Sequence, residues 1–249
     1  LRWRTAFCCR WRAPGSMPIV ADQVLAAARE AIERACERGA RLAAATVPVE
    51  DVDPAAAVLA SRLADDRWFC WEQPDGEFAL AALGSARELV SRGPDRFAEL
   101  ARGCGEAIRG AELAGPEGLP AGAGPVWTGG FAFAPEGGSA PQWASLPPAL
   151  MVLPELSLLR SGRESFLTLN VPLAPGEDPG HAVARAERRV AALRERPIGP
   201  LDPAPTGRFE ITSPHPPHRY ERLVVEATRR IAAGGIEKAV LAREVLVEA

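Results

Sequence analysis

The chain lacks most of the features that announce a function class. No run of roughly 18 apolar residues occurs, so no membrane-spanning helix is expected. Acids and bases are interspersed around a net charge of −3, with no basic patch interleaved with aromatics. Nucleic acid is therefore not an expected partner. A Gly-rich phosphate loop, a Gly-x-Ser-x-Gly nucleophile elbow and a His-Glu-x-x-His zinc helix are all missing. Histidine is scarce: His215 and His218 lie in the Pro-rich run Ser213-Pro214-His215-Pro216-Pro217-His218. Two histidines without a further close ligand read as a polar loop rather than a metal site. The five cysteines, Cys8, Cys9, Cys36, Cys70 and Cys104, are odd in number and fit no disulfide or zinc spacing. The last three read as small apolar residues of a reducing compartment, and a cytoplasmic location is expected.

What is present is globular: 47% hydrophobic and 24% charged residues over 249 positions. That length admits one large domain or two small ones. Residues 1–16 mix Arg, Trp and Cys without periodicity, and they lack the apolar stretch of a signal peptide. They read as an upstream extension or a wrongly assigned start, with translation beginning at Met17; a basic targeting arm is the rival. Residues 17–249 read as the N-terminal part of a single domain.

From residue 22 to about 45 the apolar positions Val24, Ala28, Ile32, Ala35 and Leu42 recur near the helical period, with Asp22 as the N-cap. Asp53-Pro54 opens a second short helix running to about residue 63. Two β-rich runs, 68–71 and 77–82, flank Pro74-Asp75-Gly76, which is hairpin chemistry. A helix is expected over 94–111, with Phe97, Leu100, Cys104 and Ile108 on one side, and a Gly- and Pro-rich loop over 115–124. Strands follow at 126–133, 149–159 and 165–171, the last two joined by a tight turn at Ser161-Gly162-Arg163. A polar helix is expected over 181–194, a Pro-rich connector over 197–205, and a short strand near Phe209. The chain closes with a helix over 220–233 and a strand over 236–247. Hairpins with separate helices define an α+β fold, a mainly antiparallel sheet wrapped by helices. Ending on an apolar strand with no partner after it suggests that a C-terminal half is missing.

Two segments bear on chemistry. Gly129-Gly130, inside a strand, marks a bulge or a close backbone approach. Gly234-Gly235, between helix and strand, makes a sharp C-terminal reversal that delivers Lys238. Lys238 then stands among apolar strand neighbours, where lost solvation disfavours the ammonium and a partly neutral amine can act as a general base. The competing reading is a lysine snorkelling into water from a strand end.

The segment from Tyr220 to Arg243, ending Lys238-Ala239-Val240-Leu241-Ala242-Arg243, resembles the helix–strand block of isochorismate synthases. A second block is similar too: Trp127-Thr128-Gly129-Gly130-Phe131-Ala132-Phe133, then Trp143, Leu146-Pro147 and Leu153-Pro154. The resemblance, over about residues 68–249, is to the chorismate-utilising enzymes. It implies an α/β sandwich of two sheets wrapped by helices. It also implies a cytoplasmic isomerase of menaquinone or siderophore biosynthesis, acting on chorismate without nucleic-acid or membrane partners. Members that use water carry Lys where Lys238 stands, and members that use ammonia usually carry Gln. In the implied mechanism Lys238 activates water for attack at C2, a glutamate acid assists departure of the C4 hydroxyl, and Mg2+ held by further glutamates orients the substrate. The acid and the Mg2+ ligands are expected beyond residue 249. Tyr220 stands where Trp is common. Arg243 is expected to make a structural ion pair. Salicylate synthase, which keeps the lysine and then eliminates pyruvate, is the alternative within the family. A catalytically incomplete fragment or pseudoenzyme is the alternative outside it.

Overall fold

The computed structural model describes residues 17–50, 52–73, 75, 77–194 and 210–248. The chain divides into two compact units, one before residue 199 and one from it onwards. The first unit is α+β, as expected. Its largest element is a six-stranded sheet, and a second sheet has three strands.

Helix α1 (Met17–Arg38) starts earlier and ends sooner than its periodicity suggested. Asp22 lies inside it and is not its N-cap. The end is set by Gly39, which takes φ +67° while its amide and that of Ala40 bond back to Cys36 O and Ala35 O. Residues 42–45, expected to continue the helix, instead begin strand β1 (Leu42–Val49). Alanine favours helix locally, but β1 is drawn into the sheet between two neighbouring strands, and this tertiary placement overrides propensity. Helix α2 (Pro54–Ser61) begins where expected: Asp53 Oδ1 accepts from the Ala56 amide at 3.1 Å and Pro54 fills the first turn.

Strands β2 (Trp68–Gln73) and β3 (Phe78–Leu83) form the expected hairpin. Its Pro74 and Gly76 lie outside the described residues. Strand β4 (Arg87–Ser91) follows, then helix α3 (Arg96–Arg109), strand β5 (Glu112–Ala114) and strand β6 (Thr128–Phe131). The strand expected over 149–159 is two strands, β7 (Ala149–Leu153) and β8 (Leu156–Ser161), in different sheets. Pro154 has no amide to donate to a ladder, and the chain changes sheets there. Strand β9 (Glu164–Pro172) closes a two-residue hairpin with β8 through Gly162 at φ +60°, and helix α4 (Pro179–Ala191) follows.

The six-stranded sheet runs β2-β3-β8-β9-β1-β5, antiparallel except for the β1–β5 pair. Alternate side chains serve two cores. Ala81, Leu83, Leu156, Leu158, Leu167 and Leu169 face α1, α2 and α4, where Ile32, Val58, Ala182 and Val190 are buried. Leu80, Leu159 and Phe166 face the other way, beneath Leu119, Ala123 and Val126 of the Gly-rich loop. That loop also satisfies buried hydroxyls: the Gly124 amide donates to Thr168 Oγ1 at 3.2 Å, and Thr168 Oγ1 lies 3.1 Å from Thr46 Oγ1.

The three-stranded sheet runs β4-β7-β6 and packs against α3. Arg96, at the start of α3, is buried and donates to Gly93 O and Ala132 O, both at 3.1 Å, and to Phe133 O at 3.4 Å. These bonds fix α3 to the chain leaving β6. A Cβ on Gly129 would sit 2.0 Å from Leu150 O, so the expected close backbone approach is present.

The second unit holds strand β10 (Glu210–Thr212), helix α5 (Pro217–Ala232) and strand β11 (Leu246–Glu248), with β10 and β11 paired antiparallel. The Gly234 and Gly235 amides close the helix onto Ile231 O and Arg230 O. The strand expected over 236–247 is a correction: only residues 246–247 of it lie in a strand. Residues 236–245 have no ladder partner among the described residues, and a strand exists only where another backbone takes its amides and carbonyls.

Candidate functional site

Lys238 follows the glycine reversal as expected but lies outside any strand, and its side chain is exposed. The apolar strand surroundings expected for it are therefore not formed by the described residues. Arg243 lines a small recess of about 90 Å³ with Ser213, His215, Arg219, Tyr220 and Leu223. No ion pair of Arg243 is found among the described residues. His215 Nδ1 lies 3.2 Å from Arg219 Nη1, and Ser213 Oγ donates to Glu244 O at 3.0 Å. These bonds connect the approach to α5 with the segment leading to β11.

A larger space lies in the first unit. A cleft of about 950 Å³ opens between the three-stranded sheet and the β2–β3 edge of the other. One wall carries Thr128, Val152 and Glu88, which stand in register across β6, β7 and β4. Leu150 and Gly130 form the next row. Trp68, Phe69 and Ala82 form the facing wall. Arg67 spans the gap to Glu88 with a two-pronged contact: Nε meets Oε1, and Nη2 donates to Oε2 at 3.2 Å. The guanidinium holds the Glu88 carboxyl below the usual carboxylate range.

At one corner of the cleft, Glu155 shares Arg189 with Asp66. Arg189 Nη1 donates to Asp66 Oδ2 at 3.1 Å. Its Nε lies 2.8 Å from Glu155 Oε2 but without hydrogen-bond alignment. Burial pushes the Glu155 carboxyl above its ordinary value, although Arg189 opposes the shift. No motif marks Arg67, Glu88, Glu155 or Arg189 in the sequence. They come together only in the fold: Arg67 and Glu88 are 21 residues apart in sequence, and Arg189 reaches Asp66 across 123.

Among the described residues no group of three or more His, Cys, Asp or Glu side chains could hold a metal ion. None of the described helices is long and apolar enough to cross a membrane.

A two-sheet α+β unit, followed by a helix, a glycine reversal and Lys238, fits one class, and the chain belongs to it. The family model described as chorismate binding enzyme matches residues 27–249. Among curated proteins the chain is similar to the salicylate biosynthesis isochorismate synthase of Pseudomonas aeruginosa. The two are 32% identical over 242 residues, a stretch covering 89% of this chain and 46% of the relative. Among solved structures it is similar to MenF, the menaquinone-specific isochorismate synthase from Escherichia coli. The TM-score is 0.48 and the identity 19%, over 87% of this chain and 43% of that one. The chain thus spans less than half the length of either relative.

Proposed function

We propose that the protein is an isochorismate synthase that converts chorismate to isochorismate, with Lys238 as the base that activates water. The observation carrying this reading is the family match, which runs through residue 249 and so includes the helix, the glycine reversal and Lys238. The named activity of the 32% identical relative supports it.

In this reading a neutral Lys238 amine takes a proton from water as the new O–C2 bond forms. The ring diene shifts, the C4–O bond breaks, and the C4 hydroxyl leaves as water after protonation by an acid. The ring gains one hydroxyl and loses one. A base and an acid working on one ring need separately tuned pKa values. In this reading none of the described residues is assigned as that acid. Mg2+ is the expected cofactor, but the described residues do not form its site, so no step here runs through it. Lys238 is exposed in the chain as described. The proposal therefore requires that it be covered in the working enzyme, because desolvation is what favours a neutral amine.

The test is chorismate turnover by the complete gene product with Mg2+ present. Isochorismate should form, and Lys238→Ala and Lys238→Gln should each lower kcat by roughly 100- to 10,000-fold with KM little changed. Glutamine keeps the volume and the hydrogen bonding but cannot accept the proton. Turnover near that of the unmodified protein in both variants would remove Lys238 from the mechanism. Release of salicylate and pyruvate in place of isochorismate would replace the reading with salicylate synthase.

A further inference from the structure

We infer that the cleft of the first unit is a binding site for a small organic cation, an ammonium carried on a compact apolar body, with Glu155 as its counter-ion. The cleft, about 950 Å³, is of a size that suits a small molecule. Part of its lining is apolar: Phe69 of the six-stranded sheet, and Leu150 and Val152 of the three-stranded one. Gly130 stands beside Leu150 in the sheet, and a Cβ on it would meet nothing within 4 Å. The space against that row is therefore open.

The charges around that space do not balance. Among the described residues lining the cleft, Asp65, Asp66, Glu88 and Glu155 stand against one cation, Arg67. Glu88 is matched, because it takes the Arg67 guanidinium and a hydrogen bond from Ser85. Asp66 is matched by Arg189 Nη1 at 3.1 Å. Glu155 is not. Arg189 approaches it to 2.8 Å without hydrogen-bond alignment, and its carboxylate accepts no hydrogen bond among the described residues. Glu155 is half-buried, and burial pushes its carboxyl up, so its charge is poorly satisfied by its own surroundings. An ammonium entering the cleft would supply both a full charge and donors. An anion would meet an excess of carboxylates, and a neutral ligand would leave Glu155 as it is. The apolar part of the lining calls for carbon around the charged head. A bare divalent ion fits less well, because no three carboxylates among the described residues are grouped to hold one.

Calorimetric titration of the 249-residue chain with cyclohexylamine, cyclohexanol and cyclohexanecarboxylate at neutral pH tests this. The three probes share a ring and differ in the charge of the head. The ammonium should bind with a Kd roughly 10-fold lower than that of the alcohol, about the worth of one charged hydrogen bond, and the carboxylate should bind more weakly than either. Glu155→Gln should remove the preference for ammonium over alcohol. Glu187→Gln changes the net charge equally but acts on the exposed pair with Arg29, so it should leave that preference in place. Gly130→Val should fill part of the cleft and weaken ammonium and alcohol alike. Absence of ammonium binding, or equal binding of ammonium and alcohol by the unmodified protein, would overturn the site. A preference that survives Glu155→Gln, or that Glu187→Gln lowers as much, would overturn the role of Glu155.

Discussion

Placing Arg189 between Asp66 and Glu155 shields a cation and two carboxylates partly from water, and the outcome depends on which of them is left without a partner. Arg189→Met strips both carboxylates of their cation and should lower stability by roughly 3 kcal/mol, seen as a lower Tm. Glu155→Gln is a different case. Burial raises the folded-state pKa of Glu155, so the ionised form is less favourable in the folded chain than in the unfolded one. Its contribution therefore opposes folding above that raised pKa and fades as the pH falls through it. Glu88 and Glu177 behave in the opposite sense: their pKa values are held down by Arg67 and Arg185, so their contributions are present above the unfolded carboxylate range and are lost as the pH falls through the folded values. Glu155→Gln should thus melt at or above the unmodified protein at pH 7, with the difference shrinking as the pH falls into the carboxylate range. A lower Tm for the variant at pH 7 would show that Arg189 outweighs burial. Gly129 gives the steric counterpart. Its missing Cβ makes room for Leu150 O, a backbone atom that cannot rotate away. Gly129→Ala should cost about 1–3 kcal/mol in chemical denaturation, and Gly130→Ala, which meets nothing within 4 Å, far less.

At the scale of elements, the parts that were legible in the sequence are those whose ends carry local chemistry. Asp53-Pro54 caps α2 as read, and Asp53→Ala should cost about 1 kcal/mol in thermal unfolding through the lost bond to Ala56. Ser161-Gly162-Arg163 turns β8 into β9, and the β2–β3 hairpin lies where Pro74-Asp75-Gly76 placed it. Elements decided by distant partners were not legible. β1 is an alanine-rich strand only because β9 and β5 flank it, and nothing in Leu42-Ala43-Ala44-Ala45 encodes that. β4 and β5 are five and three residues long, too short for their pattern to mark them in the sequence. For the candidate site, a glycine pair and an apolar run frame Lys238 in sequence, but it is the resemblance of Tyr220 to Arg243 to the isochorismate synthase block that singles it out. The cleft could not, because Arg67 precedes β2, Glu88 sits in β4 and Glu155 follows β7, and only the sheet order brings them together. The segment 236–245 shows the converse. Its composition favours a strand, yet no described backbone is there to pair with it, so the apolar pattern is present without the element.

On the scale of the whole molecule, the two units differ in how well they cover their apolar side chains. The first unit sets Ile32, Leu83, Leu156 and Leu169 almost wholly out of water. In the second, none of the residues of α5 is buried, and Ile211, Leu223, Val225, Val240 and Val247 are all exposed. Helix α5 nevertheless has a strongly one-sided apolar pattern, the mark of a helix that packs against something. Among the described residues the β10–β11 ribbon has two strands, fewer than a sheet needs to be stable on its own. Apolar side chains and unpaired strand edges left in water drive association. The 249-residue chain studied alone should therefore self-associate, eluting in size-exclusion chromatography at a position that shifts to larger size as the loaded concentration rises. The first unit also exposes Trp71, Phe131, Phe133 and Trp143, but its cores are internal, so its folding should not depend on that association. A chain ending near residue 194 should accordingly melt cooperatively. Replacing Val225 and Val240 with serine in the longer chain should reduce the concentration dependence without moving the melting transition of the first unit. A sharp, concentration-independent monomer for the 249-residue chain would mean that the apolar side chains of α5 and of residues 236–245 are covered in solution by contacts other than those between copies of the chain.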